Sequence, residues 1–270
     1  MTDSVQTATA SRSAMLIAMA KRLWTMVIPF VVVGVIWQFA GLFFPRFLFP
    51  SLIDVFWRCG EILLSGAMMS DVIATVLRIL GGLIGAFVIG TALALVMARS
   101  QAADKFLSPI LSLFQGIPAL SWVVFAIIWF HGIEFRIFFI MVVTTLPAFT
   151  FQVLGALRAM SKDLAEMVLS FRPTRMKLFR AMILPAVLPD ILTAWKVNLG
   201  NASRVVVVAE LVGATGGIGY QLLQQQQLFD MAGALAWTLQ IVFFVLIVQA
   251  ILTLIENTAF RYRAVSERTI

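Results

Sequence analysis

Along this chain, polar and charged positions fall into short breaks between long apolar runs. A helix needs about 20 apolar residues to cross the hydrocarbon core of a bilayer. Six runs meet that need, at residues 23–44, 71–98, 106–130, 135–157, 186–212 and 231–255. Pro45 and Pro50 bracket the break after the first run, and Ser51 and Asp54 stand at capping-box spacing beyond it. They predict a short amphipathic helix over 51–64, whose Asp54, Arg58 and Glu61 suit the membrane interface better than its interior. Gly116-Ile117-Pro118 predicts a bend in the third run, because proline removes a helical donor and disfavours helix at the residue before it. Residues 158–183 are the one long polar-basic stretch in the interior of the chain, and 213–230 reads as a Gly- and Gln-rich loop. The expected fold is all-α and polytopic: six transmembrane helices over 23–260, between a flexible tail at 1–22 and a second tail at 261–270.

Composition removes the soluble alternative. The chain is 61% hydrophobic and 12% charged, whereas a soluble domain carries about 45–50% apolar and about 25% charged residues. A single cysteine and a single histidine exclude a Cys/His zinc site or an internal disulfide within one chain. The glycines of 213–219 are not followed by Lys-Ser/Thr, so they do not form a phosphate-binding loop. Net charge is +7, and its placement sets topology. With the N-terminus inside, fourteen Lys and Arg fall in cytoplasmic segments against three outside, Arg46, Arg58 and Arg136. That asymmetry predicts cytoplasmic N- and C-termini in a multi-pass membrane protein and leaves no excess calling for nucleic acid.

Three features stand out within this frame. Gly82, Ala86, Gly90, Ala94 and Ala98 recur every four residues in the second run, so they share one face and predict close helix packing, within the subunit or in a dimer. The fifth run carries Lys196, Asn198, Asn201, Ser203, Arg204 and Glu210. A charge at the bilayer centre costs about 2.5–3.5 kcal/mol on insertion scales, so these groups face protein or water. Lys196, Gly200 and Arg204 share a face about 12 Å long; Lys196 lies close enough to the cytoplasmic end to snorkel. Arg204 with Asn201 reads either as an anion-friendly pathway lining or as a structural bridge to Glu210 or another acid. Arg78 reads as a packing ion pair or as a lining residue.

The third feature is the 161–183 segment. Ser161 can cap a helix carrying Asp163 and Glu166, acids favoured near a helix N-terminus. Pro173 ends that helix at Arg172, and Thr174 caps a second one in which Met176, Leu178, Phe179 and Met182 alternate with Arg175, Lys177 and Arg180. Such a helix–turn–helix is too short and too charged to span. It is either a plain basic loop or a knob for a soluble partner.

Glu166-Met167-Val168, with Leu178-Phe179-Arg180 and Ile183-Leu184-Pro185-Ala186, resembles the "EAA" loop of ABC importer permeases. Phe49-Pro50-Ser51, Gly116 to Leu120, Val208 to Leu211 and Gly213 to Tyr220 are similar to flanking motifs of the nitrate/sulfonate/taurine branch, in the same order. Met167 and Val168 depart from the two alanines of the pattern, and Arg172 stands at its turn glycine. The resemblance implies a type I-like permease fold, with coupling helices between the fourth and fifth spans built on Asp163, Glu166, Met167, Arg172, Thr174 and Arg175. It implies a pathway drawing on Asn198, Asn201, Ser203, Arg204 and Glu210, the last organising the outer gate region. It also implies partners: two ATPase subunits holding the ATP and Mg, an external solute-binding protein, a second permease copy and the surrounding lipid. The cargo implied is a small oxyanion or organic anion such as nitrate, a sulfonate, taurine or an aromatic acid. The competing class, a secondary carrier or channel without an ATPase, predicts internal repeats and several acids within the spans. Neither is evident.

Overall fold

A computed structural model describes residues 24, 27–29, 31–45, 47–160 and 162–259; side chains at 162–165, 175 and 259 fall outside it. Both predicted tails, the start of the first predicted span and the Ser161 cap lie outside the described residues. All regular structure among those residues is helical. An apolar helix α1 runs over Val27–Ala40. It ends before the predicted 44, and Trp37 Nε1 donates to the Pro50 carbonyl at 3.0 Å, turning the chain back beside it. Helix α2 (Leu52–Leu64) starts where the capping box placed it, with Asp54 N–H donating to Ser51 Oγ at 3.2 Å. Its Val55, Cys59 and Ile62 are buried, and the Cys59 thiol, pushed up by that burial, donates to the Ala236 carbonyl at 3.6 Å.

Helices α3 (Gly66–Arg99), α6 (Ile133–Arg158), α9 (Leu184–Gly213) and α11 (Met231–Ala259) form the body. Each lies in a helical run long and apolar enough to cross a membrane. Helix α3 lies along α6, and the small-residue face explains how. A methyl group at Gly82 would come within 2.4 Å of Met141 Cβ, and one at Gly90 within 3.2 Å of the Leu146 carbonyl and Phe149 Cβ. The ladder therefore serves packing inside the subunit from Gly82 to Ala94, while Ala98 is exposed. Around this contact Ile79, Leu83, Met141, Phe149, Leu199 and Val206 build the core.

Two expectations change. The third predicted span is a corner of two helices, α4 (Gln101–Gly116) and α5 (Ala119–Trp129), which meet at 95°. Ile117 (φ −76°, ψ 124°) and Pro118 (φ −58°, ψ 140°) are extended, as a proline and its predecessor favour. Counted as one broken span, the pair makes a fifth crossing. The loop expected over 213–230 contains a helix, α10 (Ile218–Gln227). Glutamine is a fair helix former, and the left-handed backbone positions flank the helix, at Gly217 (φ 110°) before it and Phe229 (φ 55°) after it.

On the opposite side, α7 (Lys162–Ser170) and α8 (Arg175–Leu178) form the hairpin. A π-helical turn at Phe179–Ile183 then joins α8 to α9 without a break, so Met176–Gly213 is one helical run of 38 residues.

Candidate pathway and its clasp

Four of the six fifth-span polar residues fall into two groups, Glu210 in one and Asn198, Asn201 and Arg204 in the other. Near the C-terminal end of α9, Glu210 is fully buried and both of its oxygens accept hydrogen bonds. Arg78 Nη1 donates to its Oε1 at 2.7 Å, Gly219 N–H to its Oε2 at 2.9 Å, and Thr75 Oγ1 lies 2.9 Å from both oxygens. The same Arg78 donates to the Gly216 carbonyl at 2.8 Å and, through Nε, to Glu134 at 3.0 Å. Asp71 accepts from Gly217 N–H at 2.8 Å and from Gln221 Nε2 at 2.6 Å, and Arg136 donates to the Gly213 carbonyl. Thus α3, α6, α9 and the turn into α10 are clasped by charge-assisted bonds. Gly217 is required there twice over: its φ is positive, and a methyl group would stand 2.5 Å from Glu210 Oε1.

This arrangement separates Glu210 from the pathway lining expected for it, because its carboxylate is enclosed by protein. The alternative bridge to Arg204 is likewise not formed; the partner of Glu210 is Arg78. Of the α3 residues in this clasp only Arg78 was singled out in the sequence; the spacing 71, 75, 78, which puts Asp71 and Thr75 on the same helix face, was the signal available for the other two.

The second group faces a cavity of about 460 Å³ beside the α4–α5 corner. Gln115, Gly116, Ile117, Pro118 and Ala119 form one wall; Thr144, Ala148, Asn198, Asn201 and Arg204 face them from α6 and α9. Asn198 is buried, its Nδ2 donating to Gln152 Oε1 at 2.7 Å and to the Ala194 carbonyl at 2.9 Å. Arg204 is exposed to the cavity and has no hydrogen-bonding or ionic partner among the described residues. No side chain caps the first turn of α5, whose Ala119 lines the same space. An uncapped helix start presents N–H groups and a partial positive charge. With the guanidinium and the Asn201 amide, this wall presents hydrogen-bond donors and positive charge to the cavity.

Ser203 is not in this group. It lines an apolar groove between α9 and α11, and its hydroxyl bonds back to the Leu199 carbonyl at 2.8 Å. Lys196 does not reach the aqueous boundary alone but pairs with Glu256 at 2.6 Å. Gln115 and Thr144 join the cavity, and Gln152 holds Asn198, without having been singled out; a lone polar residue in an apolar helix gives no directional signal.

In the hairpin, Glu166, Met167, Arg172 and Thr174 are exposed, and Thr174 Oγ1 accepts the Lys177 N–H at 3.4 Å as a cap. The side chains of Asp163 and Arg175 lie outside the described residues. The turn is made by Arg172 itself, at φ 47°.

Comparison with known proteins agrees with this architecture. Residues 86–261 match the family described as binding-protein-dependent transport system inner membrane component. A Brucella melitensis protein named "Probable ABC transporter permease protein" is 30% identical over 188 residues, 67% of this chain and 74% of that protein. The taurine transport system permease protein of Escherichia coli K12 is 28% identical over 150 residues, 55% of this chain and 54% of that one. The fold matches a chain of the MetNI methionine ABC transporter in an inward-facing form, with TM-score 0.63 and 20% identity over 73% of this chain and all of the other. The chain therefore belongs to the binding-protein-dependent inner-membrane transport components, as a permease subunit of an ABC importer.

Proposed function

We propose that this permease carries a small anion, and that the cavity at the α4–α5 corner is the part of its pathway that meets the cargo. The observation behind the reading is Arg204: a cation within a membrane-crossing helix, open to a cavity and unpaired among the described residues, beside Asn201 and the uncapped start of α5. A permanently charged guanidinium in that setting is stabilised by water or by a passing anion. A sulfonate or carboxylate supplies the acceptor oxygens that Arg204, Asn201 and the α5 N–H groups lack. The similarity to a taurine permease points to the same class.

The hairpin 161–183 docks, on this reading, on separate ATPase subunits that bind ATP and Mg, with the N-terminus cytoplasmic. Because α8, the π turn and α9 form one helical run, displacement of the hairpin moves Asn201 and Arg204 directly. From Lys177 to Arg204 that run spans about 40 Å. ATP-driven closure of the ATPases draws two hairpins together, opens the pathway outward to a solute-binding protein, and hydrolysis resets it. A second permease copy supplies the other half of the route, facing the exposed Val197 and the Gly200–Arg204 edge of α9.

Uptake into proteoliposomes holding permease, ATPase and binding protein tests this reading. ATP-dependent accumulation of an anion from a panel of sulfonates and carboxylates is expected, with loss on Arg204→Ala and partial recovery on Arg204→Lys. Uptake that proceeds without the ATPase overturns the importer cycle. Unchanged uptake in Arg204→Ala overturns the anion pathway.

A further inference from the structure

The hairpin turn holds a feature that the coupling role alone does not use. Arg172 adopts φ 47°, the left-handed region that a glycine enters freely and an L side chain enters only with strain. The turn is closed by backbone bonds, Phe171 N–H to the Val168 carbonyl at 3.3 Å and Arg172 N–H to the Leu169 carbonyl at 2.9 Å. Neither bond needs the arginine side chain. What the arginine adds over a glycine is a guanidinium, held at the apex of the hairpin, exposed, and without a partner among the described residues. Backbone strain at an exposed position is a signature of function rather than of folding.

The surroundings define what the guanidinium meets. Phe171 beside it is 79% exposed, and Met167, Leu169 and Met176 also stand out from the hairpin. Lys177 and Arg180 are exposed on the following turn, and Glu166 is the one acid among the side chains described from 166 to 180. This is an apolar tip with a basic collar. Its complement is an apolar recess with a carboxylate at the rim, since a carboxylate accepts both arms of a guanidinium.

We infer that Arg172 is a partner-recognition residue: its guanidinium pairs with an acidic side chain of the ATPase subunit, while Phe171 enters the apolar recess beside that acid. The inference rests on the coupling role proposed for the hairpin and adds the residue and the charge that select the ATPase.

The test uses full-length permease with its ATPase subunits in detergent, comparing Arg172→Gly, Arg172→Asn and Arg172→Lys. Glycine and asparagine both tolerate the left-handed backbone, so each keeps the turn while removing the charge. Association, read by titration at several KCl concentrations, is expected to weaken about tenfold or more in both. Its salt dependence should become shallower, and the thermal midpoint of the permease alone should stay equal or rise. Arg172→Lys is expected to keep the salt dependence and only part of the affinity. Wild-type affinity and salt slope in Arg172→Gly and Arg172→Asn overturn the proposal. A wild-type permease that does not associate with the ATPase at any salt overturns the coupling role itself, and this proposal with it.

Discussion

Glu210 and Arg204 lie on the same helix, about 9 Å apart along its axis, yet they meet opposite fates. Glu210 is enclosed, with Arg78, Thr75 and the Gly219 N–H on its oxygens. Arg204 looks into open space and has none of these among the described residues. Both solve the problem of a charge in a membrane-embedded helix, one by protein and the other by facing an open cavity. Saturation distinguishes a polar group that holds the fold from one that is kept available. Spacing along α9 could not make that distinction, because both are charged residues within one apolar run.

Removing Arg78 is the most severe way to break the comparison. Arg78→Ala leaves Glu210 buried with its cation gone, and stripping one partner from a buried ion pair costs about 3–5 kcal/mol. The expected outcome is a sharp fall in the thermal midpoint of the detergent-solubilised protein, or failure to accumulate. Glu210→Ala should behave alike. The double variant Arg78→Met/Glu210→Leu should recover much of the loss, since apolar replacement of a buried pair is often near neutral. Gly217→Ala attacks the same clasp through the backbone, combining a positive φ with a 2.5 Å approach to the Glu210 carboxylate. A destabilisation of about 2 kcal/mol or more is expected there. A thermal midpoint unchanged by either route would mean that the clasp does not hold these ends of α3, α6 and α9 together.

Arg204 should show the reverse profile. A hydrogen bond to a charged group is worth about 1.5–3 kcal/mol, so Arg204→Ala should lower uptake of the anion about tenfold to a hundredfold. Thermal stability should move by less than about 0.5 kcal/mol, as for a substitution that breaks no buried contact. If Arg204→Ala instead unfolds the protein as Arg78→Ala does, Arg204 has a partner in the assembled dimer and belongs with the structural group.

How much of this was open to reading from the chain follows the same division. Four of the six predicted membrane-crossing runs and the α2 cap were legible because they depend on local sequence, apolar length in one case, Ser51 and Asp54 in the other, while the first run forms only the shorter helix α1 among the described residues. The corner at Ile117-Pro118 was legible as a bend, but its 95° angle depends on what α5 packs against. Helix α10 was missed because Gln-rich, Gly-preceded sequence was read as loop, although nothing in Gln221 to Gln227 opposes a helix. The partner of Glu210 lies 132 residues away, a tertiary fact that no spacing encodes. Asn198, Asn201 and Arg204 were marked correctly as unusual in a span, while Ser203 was grouped with them although it turns to the α9–α11 groove. At Arg172 a proline-made turn was expected; the arginine bends itself, with Pro173 following.

Lys196 is the intermediate case, and it sets the finest test. It pairs with Glu256 at 2.6 Å, so it is satisfied like Glu210, but the two side chains remain 23% and 33% exposed. If enclosure is what makes the Arg78–Glu210 pair costly to break, Lys196→Gln should cost little, because Glu256 keeps access to solvent once its partner is gone. Partly exposed pairs contribute about 0–1 kcal/mol. A double-mutant cycle with Glu256→Gln, read from thermal midpoints, should give a coupling within that range, and uptake should change less than in Arg204→Ala. A coupling of about 3 kcal/mol would show that lipid or the second copy seals this pair in the assembly. Enclosure, not the mere presence of a counter-charge, would then have to be judged on the dimer, and Arg204 would need the same reassessment, since it borders the same α9 edge.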